Sequence, residues 1–128
     1  MNTTTTDRLP PHSIEAESGV LGCILLDPAN SMDAVLEIVG DKAEMFYDGR
    51  HQLIWSACFK LHSERRPIDF LTLLGALKEA GTADQCGGDA YLGQLQDGTP
   101  SAAHLPDYLS TLKKKYTARC MLRALSEG

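Results

Sequence analysis

No part of this sequence is apolar for long enough to cross a bilayer. The longest apolar run, Val20 to Leu26, is interrupted by Gly22, whereas a spanning helix needs about 20 consecutive apolar residues. Met1 to Arg8 are polar and threonine-rich, so they lack the apolar core of a secretory signal. Basic charge is also scarce: 12 Lys and Arg face 17 Asp and Glu, a net charge of -5. Tight binding of nucleic acid by this chain alone is therefore not expected, because neutralising phosphates needs clustered cations. Only Lys113-Lys114-Lys115 approaches a cluster, and so short a run reads as a solvated helix face. The four cysteines, Cys23, Cys58, Cys86 and Cys120, are too far apart for a CxxC zinc or redox motif. Cys23, Cys58 and Cys120 stand among apolar residues and read as buried thiols in a reducing compartment. The expected location is cytoplasmic.

The signatures of chemistry are missing too. No GxxxxGK[ST] phosphate loop, HExxH or GxSxG occurs, so no catalytic, cofactor-binding or metal-ligating residue is expected in this chain. His51 has no partner at metal-ligand or triad spacing and reads as a helix-surface or hydrogen-bonded core residue. No alternating β-branched run of useful length is present either, which removes the usual signal for a sheet.

What remains is a 128-residue chain, 43% hydrophobic and 23% charged, long enough for one domain with a real core. Its punctuation is helical. Ser13 stands where an N-cap is wanted, with Glu15 and Glu17 in the first turn. Ile14, Leu21, Ile24 and Leu25 follow as a stripe, with Gly19 and Gly22 admitting a close neighbour, and Asp27-Pro28 closes the helix. Asn30 or Ser31 is expected to cap a second helix that ends at Gly40. Leu53, Ile54, Ala57, Cys58 and Leu61 give a third, from about Gly49 to Glu64, with Trp55 and Phe59 on a flanking face. Asp69 caps a fourth, with Thr72 at its third position and Leu71, Leu74 and Leu77 expected inward. Gly87-Gly88 turns into a short helix carrying Tyr91, Leu92 and Leu95. The last helix begins near His104, with Pro106 in its first turn. The fold expected is all-α: a compact bundle of about six short helices followed by a longer one.

The long final helix has an apolar stripe at Leu105, Leu109, Leu112, Tyr116 and Cys120. Apolar residues on a helix need a cover. Part of the stripe can fold back on the core, and the rest should meet a second helical arm or another copy of the chain. Leu105, Leu109, Leu112 and Tyr116 are the expected interface contacts.

Five stretches in order resemble the N-terminal domain of bacterial replicative DNA helicases, the DnaB family. They are Pro10-Pro11-His12-Ser13-Ile14-Glu15-Ala16-Glu17 running on to Leu26, Phe46-Tyr47-Asp48-Gly49-Arg50-His51, Pro67-Ile68-Asp69-Phe70-Leu71-Thr72-Leu73, Gly87-Gly88-Asp89-Ala90-Tyr91-Leu92, and Thr99-Pro100-Ser101-Ala102-Ala103-His104. In the last, His104 replaces the family's usual asparagine. Residues 1–12, polar, threonine-rich and ending in two prolines, read as a flexible arm. The resemblance implies a globular head over 13–100 and the first arm of a helical hairpin over 101–128, cut before the linker and ATPase domain. In such helicases six of these domains form a collar, paired through their hairpins as a trimer of dimers. The collar borders the single-stranded DNA channel and receives the C-terminal domain of primase; loaders act on the same helicase. ATP and Mg belong to the motor domain, which this chain lacks. Two other readings stay open on the residues alone: a free-standing helical adaptor that engages helicase or primase, and primase's own C-terminal helicase-binding domain, which has a similar fold but lacks the ordered motifs.

Overall fold

The computed structural model describes residues 9–127; residues 1–8 of the expected flexible arm lie outside them. Six α-helices follow one another: α1 Ile14–Leu26, α2 Pro28–Val39, α3 Gly49–Ser63, α4 Phe70–Glu79, α5 Gly88–Asp97 and α6 Leu105–Glu127. Short 3-10 turns at Ala43–Met45 and Ala102–His104 precede α3 and α6. Among the described residues there is no strand.

The first helix is the axis of the bundle. It touches α2, α3, α5 and α6, and from Val20 to Leu25 every residue is buried. A helix apolar all round belongs inside. The stripe read from the sequence was thus too narrow, and Ile14, expected inward, is exposed at the open end. Ser13 caps α1 as expected, its Oγ accepting from the Ala16 N–H at 3.1 Å.

Glycines let the neighbours come close. A Cβ on Gly19 would lie 2.6 Å from the Tyr108 ring of α6, and one on Gly22 would overlap Thr99 Oγ1 and stand 2.7 Å from the Leu95 carbonyl. Gly22→Ala is therefore expected to destabilise by about 1–3 kcal/mol through overpacking, although alanine is the better helix former by about 1 kcal/mol. Gly75, in α4, has open space at its Cβ, so Gly75→Ala should stabilise by about 0.5–1 kcal/mol. Urea melts of the two variants check the pair; equal shifts would mean that the α1–α5 contact is looser than drawn.

Four expectations are corrected. Neither Asn30 nor Ser31 caps α2. Asp27 does, accepting from Asn30 Nδ2 at 2.9 Å and, at 3.4 Å, from its backbone N–H, and Pro28 occupies the first turn. Proline was read as a stop, but it is equally suited to a start; Ser31 instead donates to the Cys23 carbonyl inside the core. In α4 the inward residues are Leu73, Ala76 and Leu77, while Leu71 is 76% exposed. Leu71 and Leu73 lie on opposite sides of a helix at 3.6 residues per turn, and leucine at 71, 73 and 74 left the face ambiguous. Trp55, set on a flanking face by its spacing though also read as core or interface packing, is buried, its indole N–H donating to the Gly40 carbonyl at 2.9 Å. Cys120 is only half-buried, whereas Cys86, not singled out, is fully buried. The Asp69–Thr72 start of α4 is a reciprocal capping box, with both bonds at 2.8–2.9 Å.

Candidate functional site

Two features stand out from the packing: a buried polar network that ties four segments together, and a helical arm that leaves the head partly bare.

The network starts at Glu17. Its carboxylate is 2% exposed, and three donors converge on it: the Tyr47 N–H at 2.7 Å, the Asp48 N–H at 3.2 Å and His51 Nδ1 at 2.7 Å. A carboxylate only accepts, so the bond places a proton on Nδ1 of His51. The other ring nitrogen lies 2.6 Å from the Tyr91 hydroxyl. Burial pushes the Tyr91 phenol up from its ordinary value, and the Arg50 guanidinium sits over its ring at 4.1 Å. His51 is fully buried, in accord with the hydrogen-bonded core alternative of the sequence reading.

The acid–histidine–tyrosine order looks like a catalytic relay, but its electrostatics point the other way. A nucleophile is activated by a depressed pKa or an adjacent base poised toward substrate. Here the phenol is pushed upward and the imidazole has no exposed atom. The network joins α1, the 46–48 link, α3 and α5, and what it supplies is a fixed relative placement of those segments. The thiols are similarly quiet: burial pushes Cys58 up to about 12 and raises Cys23 and Cys86, which suppresses the reactive thiolate. Among the described residues no cluster of His, Cys, Asp or Glu is arranged to hold a metal.

At the start of α3, Asp48 accepts from the Arg50 backbone N–H at 2.8 Å and pairs with its guanidinium at 2.8 and 3.1 Å. Those bonds bring its pKa down to about 2. A group depressed in the folded state stabilises above its unfolded pKa, near 3.9, and that stability is lost as pH falls through the folded value. Asp48→Asn keeps a good cap but removes the charge. It should cost about 1–2 kcal/mol at neutral pH, after screening of the half-exposed Arg50, and flatten the loss of stability between pH 4 and 2. An unchanged acid limb in urea melts would refute the assignment.

The arm is α6. Leu105, Leu109 and Leu112, expected at an interface, are at most 6% exposed; they close the head's own core against α1 and α2. Tyr116 is half-buried at the edge of that contact. Past Cys120 the apolar side chains are bare: Met121 is 63%, Leu122 50% and Leu125 77% exposed. Leu122 also borders a groove of about 680 Å³ with Leu9, Pro11 and Arg119.

A bundle with a central apolar helix, these ordered motifs and a long projecting final helix agrees with one family model, the DnaB-like helicase N terminal domain, which matches residues 9–114. The chain belongs to that family. Among its relatives are the replicative DNA helicase DnaB of Geobacillus stearothermophilus, 34% identical over 92% of this chain and 25% of that one, and that of Haemophilus influenzae, 39% identical over 87% and 23%. The chain thus spans about a quarter of the length of these curated relatives. The crystal structure of the N-terminal domain of DnaB helicase from Mycobacterium tuberculosis superposes with a TM-score of 0.86 at 30% identity, over 93% of this chain and 84% of that one. The DnaB-like match decides against primase's C-terminal domain. No helix among the described residues is long and apolar enough to cross a membrane.

Two residues of the site were missed in the sequence. Glu17 was assigned to the helix dipole, yet helical spacing puts it on one face with Val20, Leu21 and Ile24. A carboxylate on an apolar face is the signal for a buried acceptor. Arg119 falls three residues after Tyr116 and seven after Leu112, where the stripe of α6 calls for another apolar residue. It reaches the carbonyls of Pro11, Glu44 and Met45.

Proposed function

We propose that this domain is an assembly and docking module of a replicative DNA helicase, acting as part of its N-terminal collar. The observation that carries the reading is the bare apolar end of α6, at Met121, Leu122 and Leu125, on a head of the DnaB-like family. Apolar surface of that kind is covered in the working assembly. On this reading the chain pairs with a second copy through the distal half of α6, and pairs build a hexamer as a trimer of dimers. The contact expected at Leu105, Leu109 and Leu112 moves outward, to residues beyond Tyr116. The collar then receives the C-terminal domain of primase, and a loader acts on the same ring. ATP and Mg act in the motor domain of the longer protein, and single-stranded DNA passes through the complete ring, as befits a replication protein of the cytoplasm. No residue of this chain is assigned to nucleotide, since no phosphate loop is present in it.

Calorimetric titration of this chain with the C-terminal domain of primase from the same source tests the docking role. Saturable heat is the expected result. No heat with the isolated domain and none with the complete collar, where avidity would raise a weak single contact, would overturn it.

A further inference from the structure

We infer that Arg119 is a clasp that fixes the direction in which the distal half of α6 leaves the head and ties residues 9–12 to it. The argument begins in the link between the 3-10 turn at Ala43–Met45 and α3. The turn closes with the Phe46 N–H on the Ala43 carbonyl, and Phe46 is extended, so the chain leaves 3-10 geometry there. The next two N–H groups, of Tyr47 and Asp48, go to Glu17 at 2.7 and 3.2 Å. Two carbonyls are left without a backbone partner. Arg119 reaches across from α6 and claims them, Nη2 donating to Met45 at 2.9 Å and to Glu44 at 3.3 Å, while Nη1 donates to the Pro11 carbonyl at 2.9 Å.

The guanidinium is also boxed by rings, 5.6 Å from the centroids of both Tyr47 and Tyr116. His12 stacks on Tyr47 at 4.1 Å with the planes 15° apart, so the N-terminal segment closes the same box. A planar fork with five donors suits several carbonyls at once, whereas an ammonium is a point donor on a flexible stem. Past Leu112 no apolar side chain of α6 is fully buried. Among the described residues, no side chain beyond Arg119 makes a hydrogen bond to the head. Past the packing of Tyr116, Arg119 is therefore the polar tie between the far half of the helix and the head, and the same guanidinium holds the N-terminal segment through its other terminal nitrogen. Movement of residues 9–12 and swing of α6 are coupled through it.

The test compares the whole chain with R119A and R119K by backbone amide exchange, and by electron–electron distance measurements between spin labels. The labels sit at exposed positions, Ser56→Cys on α3 and Ala124→Cys on α6, with Cys120→Ser and labelled chain diluted into excess unlabelled chain. The clasp predicts that R119A speeds exchange over residues 113–126 by about tenfold or more while α1 and α3 keep their protection. It also predicts that the single narrow distance broadens, with R119K falling between. His12→Ala, which leaves the carbonyl bonds in place, should give a smaller change of the same kind. A uniform rise in exchange across all helices, or an unaltered distance distribution in R119A, would overturn the proposal and leave Arg119 a simple packing residue. R119K, which keeps the charge and the stem, carries the comparison if R119A fails to fold.

Discussion

Replacing Glu17 with alanine is expected to lower stability by about 3–5 kcal/mol, the cost of removing one acceptor that several buried donors share. The loss is large because three donors depend on one carboxylate. His51 Nδ1 and the N–H groups of Tyr47 and Asp48 would face an apolar void, and each unsatisfied buried group costs about 1–3 kcal/mol. Glu15, two residues earlier on the same helix, is exposed, so Glu15→Ala should stay within about 0.5 kcal/mol. Glu17→Gln should fall between the two, since its amide keeps one acceptor oxygen and turns the other into a donor facing donors. Urea melts give the ranking directly. A Glu17→Ala midpoint no lower than that of Glu15→Ala would show that the network adds nothing to the fold. Because the same carboxylate fixes the Tyr47 and Asp48 N–H groups next to the carbonyls that Arg119 holds, the variant should also loosen α6 before the head melts.

The features legible in the sequence are those written locally. Ser13, Asp69 with Thr72, and Gly87-Gly88 each act within a few residues of themselves, so their types and spacing announce helix starts and turns directly. Gly19 and Gly22 were legible as close-approach points because an apolar helix seldom carries glycine without a neighbour to admit. Where two local meanings competed, the sequence was silent. Asp27-Pro28 both closes α1 and opens α2, and the leucines of α4 offered two faces. The polar network was not legible as a network, because its members are 34 and 40 residues apart. Nothing local marks Glu17, His51 and Tyr91 as partners; only the packing of α1 against α3 and α5 does. The same holds for Arg119, which is 108 residues from Pro11. Periodicity found the stripe on α6, but it could not say where the chain's own core ends and a partner's surface begins.

That boundary is what a pair of substitutions on one helix should reveal. At Leu112, 2% exposed, an aspartate would be a carboxylate in an apolar site with no donor provided for it. Burying a charge unpaired costs several kcal/mol, and losing the leucine adds about 2–5 kcal/mol of packing. Set against a total of about 5–15 kcal/mol for an ordinary domain, Leu112→Asp should leave the chain largely unfolded, with its cooperative thermal transition gone. At Leu122, half-exposed and about three turns further along, the same change removes only surface, so the transition should stay within a few degrees of the parent. If the distal half of α6 is where copies meet, Leu122→Asp should instead shift sedimentation velocity toward the monomer, and Leu125→Asp should do the same. The reverse pattern, a folded Leu112→Asp chain that no longer self-associates, would return the interface to the proximal stripe and require α6 to lift away from α1. A Leu122→Asp chain that sediments like its parent would remove the distal face as the dimer contact, and with it the main support for assembly through this helix.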